Sequence, residues 1–327
     1  VYVSNADSGE VSVLQMNAQG LLQQQSALPV GGNLMPMAIG PSRKMLYAAR
    51  RSDPMAVVSL AIDPVTRDLH PMGEVSLPAS MAYISTDLTG RFLFAASYPS
   101  QQLTVSPIAL DGTVGAVQQV VPTGPNAHAI MPSPCNRYVL ATSLGGGEVM
   151  VFGFNAETGH LSPVSAWQAR AGAGPRHFRF DPTGRWVYLL NELDGTLDVL
   201  SWNPTEGRLA CLQTVDILPP GFDAKPWAAD LHLTPDGRHL YTSERTSSTL
   251  AHFAVNLVSG LLSANGHTRV EAQPRGFAID PTGRYLLVVG QMSHHLSCFE
   301  LDPDTGQLRL QQRMAVGQGP NWVEILA

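Results

Sequence analysis

Asp181-Pro182-Thr183-Gly184-Arg185-Trp186-Val187-Tyr188 and Asp280-Pro281-Thr282-Gly283-Arg284-Tyr285-Leu286-Leu287 are two copies of one unit. Weaker copies stand at Asp87-Leu88-Thr89-Gly90-Arg91-Phe92-Leu93-Phe94 and Thr234-Pro235-Asp236-Gly237-Arg238-His239-Leu240-Tyr241. Asp at the first position, Pro at the second and Gly at the fourth are the preferences of a type I turn. The β-branched and aromatic run that follows reads as a strand, and so do the runs before it, such as Phe178-Arg179-Phe180 and Phe277-Ala278-Ile279. The unit is strand, tight turn, strand. Degenerate copies end at Lys44-Met45-Leu46-Tyr47 and Arg137-Tyr138-Val139-Leu140, so basic anchors fall at 44, 91, 137, 185, 238 and 284, spaced by 47, 46, 48, 53 and 46 residues.

A second hairpin follows each first one. Leu197-Asp198-Val199-Leu200-Ser201-Trp202 runs into Asn203-Pro204-Thr205-Glu206-Gly207, and Leu296-Ser297-Cys298-Phe299-Glu300-Leu301 into Asp302-Pro303-Asp304-Thr305-Gly306; seven copies lie near residues 11, 57, 104, 149, 197, 250 and 296. Two hairpins per repeat give four strands, and seven repeats fill the 327 residues. The expected fold is an all-β, seven-bladed β-propeller of four antiparallel strands per blade, which closes radially and leaves few sheet edges open. Pro320-Asn321-Trp322-Val323-Glu324-Ile325 reads as an innermost strand and Val1-Tyr2-Val3-Ser4 as its partner, so the last blade is expected to be closed by both termini. No domain boundary is visible, and 1–327 is expected to form a single propeller domain. A pair of β-sandwiches is the competing reading. No helical periodicity is long enough for an α/β fold.

Composition excludes several function classes. Hydrophobic residues make up 44% and charged residues 14%, enough for a large core and too little charge for a disordered chain. The net charge is −6, so no global basic field draws the protein to nucleic acid or to an anionic membrane, and a bound anion needs a local cation cluster. No apolar run approaches the ~20 residues of a membrane helix. No signal peptide is visible, and the start without Met is expected to be trimmed. Cys135, Cys211 and Cys298 are far apart and odd in number, which reads as three small residues in or near the core of a cytoplasmic protein.

The repeat also places side chains. The position nine residues before each basic anchor precedes the innermost strand, and the position seven after it follows the second strand. The turn lies at the opposite end, so both positions emerge on one face, around the axis. The first set is Met35, Ala82, His128, Arg176, Ala229 and Arg275, with Asn321 in the closing blade; the second is Arg51, Tyr98, Leu144, Glu192, Arg245 and Gln291. Several cations and one carboxylate are thereby expected at one mouth, although any one of them alone reads equally as a structural ion pair between blades.

That set suits an anionic substrate with an activated carbonyl. A carboxylate between Arg176 and Arg245 stays ionised, and Glu192 is a candidate general base for water. Arginine binds anions in bidentate fashion, and the arginines or His128 are candidates to stabilise an oxyanion. The insertion behind the interval of 53 contains Pro219-Pro220-Gly221-Phe222-Asp223-Ala224-Lys225-Pro226-Trp227 and lies on the mouth side, a candidate lid with Lys225 on a substrate anion. Other features are bland. Gly145-Gly146-Gly147 has no following Lys-Ser/Thr and reads as a blade turn. His294-His295 are adjacent on a strand and point to opposite faces, so neither a metal nor any other cofactor is expected. A Ser-His-Asp triad lacks its elbow motif.

These residues also resemble the β-propeller lactonase family, which includes bacterial phosphogluconolactonases and a fungal carboxymuconate-lactonizing enzyme. The stretches that carry the resemblance are Gly172-Ala173-Gly174-Pro175-Arg176-His177, Asn191-Glu192-Leu193, Trp227-Ala228-Ala229-Asp230-Leu231-His232-Leu233-Thr234-Pro235-Asp236-Gly237-Arg238-His239-Leu240-Tyr241, Gln273-Pro274-Arg275-Gly276-Phe277, Gly290-Gln291-Met292-Ser293-His294-His295 and Ala315-Val316-Gly317-Gln318-Gly319-Pro320. The resemblance implies an active site of His128, Arg176, Arg245 and Glu192. The chain departs from many relatives at Asn126, where they carry a second His.

The bacterial branch is the closer one, and it implies metal-independent hydrolysis of 6-phospho-D-glucono-1,5-lactone to 6-phosphogluconate in the pentose phosphate pathway. In that reading Glu192 activates water. Arg176, Arg245 and His128 orient the lactone, and Arg275, Lys225, Gln291, Arg51 or the His294-His295 pair hold its anion. A lactonase or cycloisomerase for another anionic lactone, and a non-catalytic interaction propeller, are the alternatives. A monomer or weak homo-oligomer is expected, with a small sugar lactone as partner and neither nucleic acid nor membrane.

Overall fold

Each Asp-x-Thr-Gly-Arg unit is a turn closed by its own aspartate. In the computed structural model, which describes residues 1–326, Asp181 Oδ1 accepts from the backbone N–H of Arg185 and of Trp186, both at 2.7 Å, and Oδ2 accepts from Thr183 N at 2.9 Å. Asp280 repeats this with Arg284 N at 2.8 Å and Tyr285 N at 2.7 Å, and Asp87 with Arg91 N at 2.7 Å and Phe92 N at 2.9 Å. The turn glycine takes φ +69° in Gly184 and +72° in Gly283, a conformation that costs other residues more. The basic anchor then reaches sideways: Arg185 donates to Leu257 O at 2.9 Å and Arg137 to Pro204 O at 3.1 Å, each on the neighbouring blade. The repeat is thus a turn signal and an inter-blade staple at once.

The strands form seven four-stranded antiparallel sheets, as the repeat arithmetic requires. Their innermost strands are Leu34–Ile39, Tyr83–Thr86, Ala127–Pro132, Pro175–Phe180, Ala228–Leu233, Pro274–Ile279 and Pro320–Glu324, each packed against the next, with the last against the first. The closing sheet has Pro320–Glu324 innermost, then Tyr2–Asn5, with Val3 opposite Val323 and Ser4 opposite Trp322. This is the closure expected from the two termini.

Burial follows radius. Second strands such as Phe92–Ser97 and Trp186–Asn191 are buried along their whole length, because a blade there has a neighbour on both faces. Outermost strands such as Leu161–Gln168 expose most of their residues. Each large apolar side chain sealed between blades contributes about 1.5–3 kcal/mol. The cysteines correct one expectation: Cys298 is buried, but Cys135 and Cys211 are exposed. Cys135 stands in the turn before Tyr138–Ser143 and Cys211 on the outermost strand Arg208–Asp216, neither of which has a blade covering it.

Candidate active site

Six of the innermost strands carry a register irregularity near their start. Pairing slips between Pro175 and His177, between Pro274 and Gly276, between Ala127 and Ile130, between Ala228 and Leu231, between Leu34 and Met37, and between Pro320 and Trp322. A bulge leaves a residue unpaired and re-aims its side chain. From the repeat alone His128, Arg176 and Arg275 are expected just before these strands; they are instead the second residue within them, at the irregularity. Gly276 lets the adjoining blade come close, since a Cβ there would lie 2.5 Å from Asn321 O.

Arg176, Glu192 and Arg245 meet. Oε2 of Glu192 accepts from Arg176 Nε at 2.7 Å and from Arg245 Nη2 at 2.9 Å, while both guanidinium groups are buried. Backbone oxygens complete the clamp: Arg176 donates to Ala229 O, and Arg245 donates to Trp227 O at 3.1 Å and Ala228 O at 3.2 Å. The Trp227 ring lies 3.8 Å beneath the Arg245 guanidinium carbon. Glu192 Oε1 accepts no hydrogen bond among the described residues.

More positive charge surrounds this trio than it neutralises. Burial, then the charges of Arg176 and Arg275, push Arg245 down to about 8. Arg275 is half-buried, its buried Nε is unpartnered among the described residues, and desolvation followed by the charges of Arg176 and Arg51 pushes it down to about 9. Burial also lowers Arg51, whose Nε donates to Ser80 Oγ at 2.9 Å. His128 is held well below its ordinary value by burial and by Arg176, and is a neutral imidazole. Four guanidinium groups around one carboxylate make a receptor for an anion.

The remaining expected residues lie at the rim. Lys225 is exposed; its backbone oxygen accepts from Thr246 Oγ1 at 3.0 Å. Gln291 is half-buried and ties its backbone N–H to Gln273 O at 3.1 Å. His294 accepts from Gly319 N at 3.1 Å through Nδ1, and His295 Nδ1 lies 2.5 Å from Ser293 O, so both rings are engaged with the rim's own backbone. Among the described residues no group of three or more His, Cys, Asp or Glu is set to hold a metal ion.

The axis below this mouth holds residues that the repeat does not single out. His177 is buried, with Nδ1 2.9 Å from Asp230 Oδ1. Burial and then Arg176 push its ring to about 3. Asp230 also meets His232 Nε2 at 3.2 Å through Oδ2. Beneath them a cavity of about 470 Å³ opens at the far end of the axis, lined by Tyr83, Arg179, Asp230, His232, Trp322 and Glu324 among others. His177 and Asp230 stand inside the stretches quoted above; what the sequence lacks is any sign that the bulge turns consecutive residues toward the axis.

Comparison with known proteins finds relatives that span the whole chain. Residues 1–325 match the family described as lactonase, 7-bladed beta-propeller. A 6-phosphogluconolactonase of Pectobacterium carotovorum is 42% identical over 329 aligned residues, covering 100% of this chain and 98% of its own. One of Serratia proteamaculans is 40% identical over the same shares. The solved structure of a periplasmic gluconolactonase from Pseudomonas aeruginosa superposes with a TM-score of 0.92 at 29% identity, covering 100% of this chain and 98% of that one.

Proposed function

The chain belongs to the seven-bladed β-propeller lactonase family, and within it we propose that it hydrolyses 6-phospho-D-glucono-1,5-lactone to 6-phosphogluconate. The observation that carries this reading is the Glu192 carboxylate held between the buried Arg176 and Arg245, with Arg275 close by. Water attacks the lactone carbonyl as Glu192 Oε1 takes its proton. The guanidinium groups stabilise the oxyanion that forms, in a site with little solvent to compete. The ring C–O bond then breaks, and the proton held by Glu192 passes to the departing ring oxygen. The phosphate engages the cations that Glu192 leaves uncompensated, Arg275 and Arg51 foremost, with Lys225 and Gln291 at the rim. The exposed thiols of Cys135 and Cys211 suit a reducing compartment, and we place the enzyme in the cytoplasm.

A second reading, an unphosphorylated gluconolactone as substrate, follows from the name of the Pseudomonas aeruginosa structure. The crowd of guanidinium groups favours the phosphorylated compound. Measuring kcat/KM for both lactones decides: a preference of about 10-fold or more for the phosphorylated one, equivalent to about 1.4 kcal/mol, is expected. Equal rates would sink the phosphate assignment, and no turnover of either would sink the lactonase reading.

A further inference from the structure

Each inner strand sets one residue around the far cavity, two positions on from the layer that holds His177, Asp230 and Trp322. That residue stands six before each basic anchor, and Glu324 takes the matching place in the closing blade. Around the ring, four consecutive blades supply Arg179, His232, Ala278 and Glu324. The other blades supply Ala38, Ser85 and Met131. Ser85 spends its hydroxyl on Ile130 O at 2.7 Å, so with Met37 and Ile39 alongside, that side of the cavity is apolar.

The polar side carries opposite charges at its two ends, and they do not pair with each other. Arg179 Nη1 donates to Tyr83 Oη at 2.8 Å and to Phe178 O at 3.1 Å, and its Nη2 stands 3.9 Å from Asp230 Oδ1. Asp230 offsets part of that charge, but Nε and Nη2 make no hydrogen bond among the described residues. Glu324 Oε1 accepts from Trp322 Nε1 at 2.8 Å, while Oε2 accepts nothing and the carboxylate pairs with no cation among the described residues. Between the two ends, His232 places Nε2 3.2 Å from Asp230 Oδ2. Burial lowers the pKa of this ring, so it is neutral at pH 7. A carboxylate only accepts, so the proton is on Nε2 and Nδ1 is a bare acceptor. Ala278, with a single methyl group, leaves a gap between His232 and Glu324.

We propose that the far cavity binds an α-amino acid with an apolar side chain, its carboxylate on Arg179, its ammonium on Glu324 and His232, and its side chain against Met37, Ile39 and Met131. A guanidinium matches a carboxylate, and an ammonium needs acceptors such as Glu324 Oε2 and His232 Nδ1. An amine alone leaves Arg179 unmatched, and an acid alone meets the charge of Glu324. The volume of about 470 Å³ falls within the roughly 300–1,000 Å³ of small-molecule sites. The site lies at the opposite end of the axis from the mouth and is independent of the reaction there.

Leucine, methionine and phenylalanine, titrated into ¹⁵N-labelled protein, are the probes. The Trp322 indole N–H, which donates to Glu324, is the reporter. A saturable shift of its resonance with at least one of the three is expected. Isocaproate and isopentylamine, which are leucine without its ammonium and without its carboxylate, are expected to bind at least about 10-fold more weakly than leucine. By calorimetry, Glu324→Gln is expected to weaken the amino acid about 10-fold or more. Ala38→Leu leaves every polar group in place, fills the apolar side and is expected to abolish binding. No shift with any of the three probes overturns the proposal. So do half-molecules that bind as tightly as leucine, and so does wild-type affinity in Glu324→Gln or Ala38→Leu. Each readout is of binding alone, so the outcome is the same whether or not the mouth hydrolyses a lactone.

Discussion

The guanidinium carbon of Arg245 lies over the Trp227 ring, 3.8 Å from its centre. Trp227 ends the inserted loop that begins at Pro219, so the insertion contributes to the site through an aromatic shelf under an arginine. Stacking of this kind contributes about 0.5–2 kcal/mol and stiffens a group that Glu192 holds by one bond. Trp227→Leu is expected to raise KM roughly 2- to 10-fold with little change in kcat, as steady-state kinetics would read. An unchanged KM would show that Arg245 needs no shelf.

Glu192→Gln removes the proton acceptor while keeping shape. The expected loss in kcat is about 10²- to 10⁴-fold, with KM nearly constant. The same change strips the carboxylate that Arg176 and Arg245 share, so the melting temperature should fall too. Glu192→Asp separates the effects, since it restores charge but withdraws the oxygen from the water. Full turnover in Glu192→Gln eliminates this residue as the base.

Arg275 sits half-buried among like charges with its buried Nε unpartnered among the described residues, an arrangement that serves a ligand better than the fold. Replacing such a group by an apolar one of similar size often stabilises a protein by about 1–4 kcal/mol. Arg275→Met is expected to melt at a higher temperature than the wild type in the absence of ligand. It should also lose most of the thermal protection that 6-phosphogluconate gives the wild type, which amounts to about 2.7 kcal/mol at one hundred times the dissociation constant. A variant that melts lower and is still protected by the product would place the anion elsewhere.

Glu324 lines the far cavity, where burial pushes its carboxyl up to about 7. Its ordinary value is 4.5, so between that pH and about 7 the folded protein holds a proton that the unfolded chain has released. Stability therefore falls as pH rises through this window and stays lower above it. Glu324→Gln keeps the acceptor for Trp322 Nε1 and removes the charge. Thermal melts should find it more stable than the wild type at pH 8, on the order of 1–2 kcal/mol, and equal to it at pH 4. A deficit at pH 8 would mean that the charge is compensated.

The ring is legible in the sequence because its turns use chemistry that needs no tertiary context. An aspartate such as Asp181 or Asp280 caps its own turn, and glycine supplies the positive φ. The mouth is legible for a related reason: a fixed period converts chain position into place on the ring, so Arg176, Glu192 and Arg245 fall together before any coordinates. The axis below is not legible. The slip beside Arg176 turns it to the mouth while the next residue, His177, still reaches the axis, and no residue preference marks that slip. The pairing of His177 with Asp230 joins two blades 53 positions apart, and nothing local to either residue announces it. Lys225 is the converse case. Its loop is where the period puts it, but the side chain that the loop delivers to the arginines is Trp227.

Because Pro320–Glu324 forms the inner strand of the sheet that Tyr2–Asn5 continues, the earliest strand of the ring waits for the latest. Six blades can assemble during synthesis, but the circle stays an open arc until Pro320–Glu324 emerges. Until then the raw edge of Tyr2–Asn5 is unpaired and prone to stick to other chains. Loss of the strand Pro320–Glu324 alone would leave that arc permanently unlatched.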